Sequence, residues 1–319
     1  MNQGIIDVVE WQTNVDMRRG TKVDTGGHLV DMAREVLQAH PYPGDLDKES
    51  SRWVTNVALD LYNRYQPQFV MLSYAQPFFL SVFQETPYTE RKEIIKKIFK
   101  EISRFREVTG MVPVILGTGG LVPVAGYIDL GQLDGLALGG GMICRYAGLY
   151  DPTDRDLSYV RSHPRISNIF NREELMAHFG KDEEFVKRLP DYLVMAKEGY
   201  VFKTFGSIPR PFYRVPAKND LIPVNSPFGK LDSITDIRKL IEDSLSSQKI
   251  ALIIIEGIGP EDFLLPDSLC GNTFGWYQYA PGDGQYLALT TGRHLPYHSY
   301  LPGFKHYIED KEDHGNNTD

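Results

Sequence analysis

The sequence predicts an α/β protein with a mostly parallel sheet and helices on both faces. Three apolar segments carry this prediction: residues 68–74 (QFVMLSY), 111–117 (MVPVILG) and 250–255 (IALIII). Strands without an alternating polar side are typical of parallel sheets, in which both faces are buried. We therefore expect these three strands to be central neighbours in one sheet.

A long helix is expected between the first two strands. Apolar residues recur there at helical spacing, with Lys and Glu on the opposite face: Ile94, Ile95, Ile98, Ile102 and Phe105. Strand, helix and strand in this order predict a parallel pair with a right-handed crossover. Residues 1–149 then form the first part of the α/β core.

Residues 150–230 are predicted to form a peripheral segment that covers the sheet. Short strands are expected just before this segment, in 134–140 and 141–150, and a strand and turn within it, in 191–202. A helix is expected over 171–180, because Asn171 supplies a cap and the first turn is acidic. Prolines crowd the stretch 208–227, which is typical of irregular loops.

Residues 231–308 are expected to return to the same core. A helix over 233–245 begins with a capping box, formed by Ser233 and Asp236, and leads into the strand 250–255. The polar, acidic tail 309–319 has too few apolar residues to pack and is predicted to be disordered.

The composition argues against several classes of protein. The formal net charge is −8 and no Lys/Arg cluster is interleaved with aromatic residues, so nucleic acid is not the expected partner. No apolar run approaches the length of a membrane span, and no signal segment opens the chain. The two cysteines, Cys144 and Cys270, are too few for a disulfide framework. We expect a reduced, cytoplasmic protein, and no feature predicts an oligomeric state.

Several motifs resemble the alkaline phosphatase superfamily, in particular its type I phosphodiesterase/nucleotide pyrophosphatase branch. Residues 68–74, the helix and 111–130 (MVPVILGTGGLVPVAGYIDL) are similar to the metal-binding half of that family. Residues 249–263 (KIALIIIEGIGPEDF) resemble its opening strand, VVLIVIDGLRPD. Residues 287–300 (LALTTGRHLPYHSY) resemble LLTGRYPGEHGI. The last two motifs come first in the family and last here, so the resemblance implies a circularly permuted core.

The resemblance also implies where a metal site would lie. Family members hold two metal ions, usually zinc, with Asp and His side chains, and the metals activate a Thr or Ser nucleophile. Glu256 stands at the first Asp position, and Gly117, Thr118, Gly119 and Gly120 stand where the family has Ser-Asp-His-Gly. No Asp or His follows Ser73, where an Asp-x-x-x-His motif is expected. With most ligands missing, the resemblance favours a non-catalytic relative that binds no metal and acts in ligand binding or protein interaction.

The polar candidates keep more than one interpretation. Glu256 is either a ligand or acid/base group, or a helix cap or ion-pair partner. Thr118, Gly119 and Gly120 either hold a small anion through backbone N–H groups or form a tight turn. Asp283 is most simply a turn residue. His298 follows His294 by four residues, but Pro296 lies between them and favours a loop.

Two alternatives to the non-catalytic interpretation stay open. In the first, Glu256, Asp283 and His298 form a rebuilt site in an active phosphoester hydrolase that uses zinc or another divalent metal. In the second, the chain is an unrelated α/β domain. A partner protein is also possible, because tyrosines crowd residues 277–307, as is typical of interfaces.

Overall fold

The fold is taken from a computed structural model of the chain. It describes residues 15–16, 21–22, 28–139, 143, 145–179, 186–187, 189–203, 212–218, 220–271, 289 and 292. The chain divides into two compact units, one of Met1–Gly44 with Ser299–Asp319 and one of Asp45–His298. The predicted disordered tail, 309–319, lies outside the described residues.

The smaller unit contains three described elements. Strands β1 (Val15–Asp16) and β2 (Thr21–Lys22) form an antiparallel pair. They are followed by helix α1 (His28–Ala39). The remaining elements belong to the larger unit.

A five-stranded sheet forms the centre of the larger unit. Its order is β15–β13–β4–β14–β3, and its members are β3 (Phe69–Tyr74), β4 (Val112–Gly117), β13 (Leu221–Asn225), β14 (Ile250–Ile255) and β15 (Ser268–Gly271). Strand β14 pairs in parallel with β3 on one side and β4 on the other. Strand β13 pairs antiparallel with β4 and β15. The three predicted strands are therefore neighbours, but the sheet as a whole is mixed.

The two sides of β14 face different apolar clusters, and all six of its residues are buried. Ala251, Ile253 and Ile255 pack with side chains from helices α2 (Ser50–Tyr65) and α4 (Tyr88–Thr109). Ile250, Leu252 and Ile254 pack with side chains from helix α7 (Ile237–Ser244) and the turn before it. Successive side chains of a strand point to opposite faces, which explains the alternation.

The predicted helix starts and faces agree with the structure. In α4, Ile95, Ile98, Ile102 and Phe105 are buried. The helix ends at Thr109 and is capped by Gly110, whose φ of 66° is in the left-handed region. Before α7, Ser233 N donates to Asp236 Oδ2 at 2.9 Å, which completes the predicted capping box. Asn171 Oδ1 accepts from Glu174 N at 2.9 Å at the start of helix α6 (Arg172–Phe179).

A second sheet of the larger unit has four antiparallel strands in the order β7–β8–β10–β9. They are β7 (Leu136–Gly139), β8 (Tyr146–Tyr150), β9 (Ile166–Asn171) and β10 (Tyr192–Ala196), and α5 (Asp154–Ser162) follows β8. Four further strands pair in twos: β5 (Leu121–Pro123) with β12 (Arg214–Pro216), and β6 (Gly126–Ile128) with β11 (Tyr200–Phe202). Helix α3 (Gln76–Phe83) follows β3.

The segment 150–230, expected beside the central sheet, also supplies strand β13 to it. Pro223 lies in the middle of β13, and prolines in this stretch led to the expectation of loops. Pro223 lies opposite Leu269 of β15, and on the other side of β13 the pairing with β4 involves only Val224 and Asn225.

Two features of the described residues concern the environment of the protein. None of the described helices combines the length and apolar content needed to cross a membrane. Cys270 is a free, buried cysteine, and burial raises the pKa of its thiol to about 12.

Candidate ligand site at the strand ends

The carboxyl ends of β3, β4 and β14 meet at one edge of the central sheet. The strands are parallel, and Ile255 pairs with both Tyr74 and Gly117. Residues that follow these three strands are therefore brought together. In open α/β sheets this edge is where ligands bind.

Glu256 is the carboxyl group that β14 brings to this edge. Its exposure is only 6%. Ser73 Oγ donates to Glu256 Oε1 at 2.8 Å, and Glu256 N donates to Tyr74 O at 3.1 Å. Glu256 is thus a buried hydrogen-bond acceptor held against the end of β3.

The turn after β4 packs closely on the turn after β14. Gly257 N donates to Thr118 Oγ1 at 2.9 Å, and Gly119 N donates to Ile258 O at 3.0 Å. A Cβ atom on Gly117 would lie 2.3 Å from Ile258 O, so only glycine allows this approach. The two turns therefore form one tightly packed structure.

The N–H groups of the predicted anion cradle have partners inside the protein. Thr118 N donates to Ile255 O at 3.3 Å, and Gly119 N donates to Ile258 O. Thr118 and Gly119 are buried, whereas Gly120 is half-buried. An anion could reach the N–H groups of Thr118 and Gly119 only by replacing these hydrogen bonds.

Two arginines and one aspartate lie beside the turn that follows β14. The Arg91 side chain, only 6% exposed, donates through Nη1 to Asp262 Oδ2 at 2.5 Å. Its Nη2 donates to Gly257 O at 2.9 Å. Arg214 Nη1 donates to Leu121 O at 3.1 Å. Burial lowers the pKa of Arg214, the positive charge of Arg91 lowers it further, and the negative charge of Asp262 opposes both.

A groove of about 430 Å³ is lined mainly by residues of α2, α3 and α4. Its lining includes Gln76, the first residue of α3, and Ser51 near the start of α2. Both side chains are buried, and Ser51 Oγ donates to Gln76 Oε1 at 2.7 Å. Charged side chains of α4 also line the groove. Glu256, Thr118, Gly119 and Gly120 are not among its lining residues.

The structure brings together part of the predicted set. Glu256, Thr118, Gly119 and Gly120 all lie at the same edge, together with Ser73. Asp283 and His298 lie outside the described residues, as does His294. Arg91, Asp262 and Arg214 were not predicted, because no local pattern connects residues so far apart in the chain.

The described side chains at this edge do not fit a pair of zinc ions. Zinc sites use Asp, Glu, His or Cys ligands, three or four to each ion. The three strand ends supply one such group, Glu256, and the hydroxyl groups of Ser73 and Thr118. Across the described part of the chain, no group of three His, Cys, Asp or Glu side chains is placed to hold a metal ion.

Comparison with known proteins gives a limited result. No protein-family model and no curated protein matches the chain. The solved structures that are similar to it include two of phosphonoacetate hydrolase from Sinorhizobium meliloti 1021. The complex with phosphonoformate has a TM-score of 0.44 and the complex with phosphonoacetate one of 0.39, each at 15% identity. Each match covers 64% of this chain and 56% of the hydrolase chain, little more than half its length.

Proposed function

We propose that this chain is a non-catalytic, ligand-binding relative of the metal-dependent phosphodiesterases. The ligand would bind at the edge formed by the ends of β3, β4 and β14. The observation that carries the proposal is the state of Glu256, which is buried and accepts a hydrogen bond from Ser73. Among the described residues, Glu256 belongs to no group of three His, Cys, Asp or Glu side chains that could hold a metal ion, as a metal centre requires.

The packing of the neighbouring turn supports the same proposal. Thr118 stands where the family has a metal-binding residue, but its hydroxyl accepts from Gly257 N and is buried. The position of β14 between β3 and β4 supports the proposed circular permutation, because a late strand lies between two early ones. Among Thr118, Gly119 and Gly120, the half-buried Gly120 is the most accessible to a ligand.

One observation favours the alternative, an active phosphoester hydrolase. A serine hydroxyl that donates to a carboxylate at 2.8 Å is the arrangement of a nucleophile with its base. In that case Glu256 would act with Asp283 and His298, and zinc or another divalent metal would stabilise the phosphoryl group.

Metal content and turnover separate the two functions. The purified full chain is analysed for metals and assayed with p-nitrophenyl phosphate and bis-p-nitrophenyl phosphate, with added zinc or manganese. We expect less than one zinc per chain and no turnover above background. Two tightly bound metals per chain, with turnover abolished in Glu256→Gln and kept in the exposed control Glu261→Gln, would establish the hydrolase instead.

A further inference from the structure

We propose that Arg214 binds the anionic group of the ligand, a phosphate or carboxylate, at the edge where β14 ends. This inference rests on the proposed ligand-binding function and names the class of ligand and its main contact. Three features of the described residues carry it: the position of Arg214, the local charge, and the hydrogen-bond donors around it.

Arg214 lies beside the turn that follows Glu256. It begins β12, which pairs with β5, and β5 comes directly after Gly120. The Arg214 guanidinium donates to Leu121 O. Leu121 Cδ1 in turn lies 3.1 Å from the position that a Cβ on Gly257 would occupy. A ligand at the ends of β4 and β14 would therefore be near the Arg214 side chain.

Two carboxyl groups lie near this turn, and both contact other residues. Asp262 is in direct contact with Arg91, and Glu256 accepts a hydrogen bond from Ser73. Among the described residues, no carboxylate forms an ion pair with Arg214, although the charges of Arg91 and Asp262 both act on it. A partly buried arginine without an ion-pair partner favours an anion.

The same place has more hydrogen-bond donors than acceptors. Within the described residues, Leu121 O is the one hydrogen-bond acceptor that contacts the Arg214 guanidinium, which has five N–H groups. Arg91 Nε is buried and has no acceptor there. Arg91 also donates to Asp262 and to Gly257 O, and these contacts stabilise the turn. Arg214 has N–H groups that can donate to a ligand. A guanidinium fork matches the oxygen atoms of phosphate and carboxylate.

The test is anion binding by the full chain, with inorganic phosphate and acetate as the two probes. Binding is measured by calorimetry and by the rise in Tm, at ionic strength held constant with chloride. We expect the wild-type chain to bind one of the two anions, and the tighter one identifies the phosphate or carboxylate class. Arg214→Gln should weaken that binding by at least about tenfold, the loss of charged hydrogen bonds.

Two further variants keep the inference open to disproof. Arg155→Gln removes an arginine of α5 that is 80% exposed, and should leave anion binding unchanged. Arg214→Lys keeps the charge but loses the fork, and should weaken binding while the Tm without anion stays near that of wild type. Equal binding by wild type and Arg214→Gln, or no binding of either anion by wild type, overturns the inference. So does unfolding of both Arg214 variants, because it assigns Arg214 a structural role.

Failure of this inference can be told apart from failure of the proposed function. If Arg214→Gln binds the anion as well as wild type does, and the chain holds no metal and shows no turnover, then Arg214 is not the anion ligand. The proposed non-catalytic function is unaffected by that result. Metal-dependent turnover would contradict the non-catalytic function, regardless of the anion binding of the Arg214 variants.

Discussion

The two sheets of the larger unit are stabilised in different ways. In the central sheet, β14 lies between two parallel partners and all six of its residues are buried. In the four-stranded antiparallel sheet, every residue of β9 is half-buried or exposed, and Leu136 of β7 is 56% exposed. In the second sheet the two inner strands, β8 and β10, are mostly buried, whereas the described residues of the edge strands β7 and β9 are not.

Local polar contacts support the second sheet and its helices. Asp156 is buried at the start of α5 and accepts from the backbone N–H groups of Asp134, Gly135 and Thr153 at 2.9–3.0 Å. The Asp191 carboxylate accepts from Asp151 N at 2.8 Å. This difference predicts that the central sheet is most sensitive to changes in volume, and the second sheet to changes in charge.

The largest effect is expected from truncating the same residue type in the two sheets. Ile253 of β14 is fully buried, whereas Ile169 of β9 is half-buried. We expect Ile253→Ala to lower the free energy of unfolding by about 3 kcal/mol and Ile169→Ala by about 1 kcal/mol, because a cavity adds to the lost transfer free energy in the first case. Urea denaturation measures both, and equal losses would contradict the comparison.

A smaller effect is expected from adding one methyl group to a glycine in each sheet. A Cβ on Gly117 of β4 would meet the backbone oxygen of Ile258 at 2.3 Å, which cannot move without separating the two turns. A Cβ on Gly148 of β8 would lie 3.1 Å from Pro190 and 3.2 Å from Tyr150, both side-chain atoms. Gly117→Ala should cost about 2 kcal/mol and Gly148→Ala less than about 1 kcal/mol. Thermal unfolding tests this, and a larger loss for Gly148→Ala would reverse the expected order.

The parts of the fold that depend on burial at both faces could be predicted from the sequence. The strand Ile250–Ile255 and the buried face of α4 agree with the apolar spacing, because a buried strand or helix face tolerates few polar residues. Strand β13 could not be predicted, since Pro223 indicates a loop unless its pairing partners are known.

Part of the candidate site could likewise be predicted from the sequence, and part of it could not. Glu256 and Thr118 could be predicted because each directly follows a buried strand, and the ends of parallel strands meet at one edge. The pair of Arg91 and Asp262 joins residues 171 positions apart, and the contact of Arg214 with Leu121 joins residues 93 positions apart. Charged residues at such distances carry no periodic signal, so only the fold reveals these contacts.

The effect most specific to the second sheet is a dependence of stability on pH. The backbone N–H of Asp134, with those of Thr153 and Gly135, lowers the pKa of Asp156 to about 2, although burial opposes them. Because the folded pKa is below the unfolded one, the stabilisation is present above about pH 4 and is lost as pH falls toward 2. Asp156→Asn should therefore have a lower Tm than wild type at pH 5 to 7, and the difference should shrink below about pH 4. The control Asp154→Asn changes an exposed residue of the same first turn and should show no such convergence. A constant difference between wild type and Asp156→Asn down to pH 2 would show that the carboxylate charge does not stabilise this helix start.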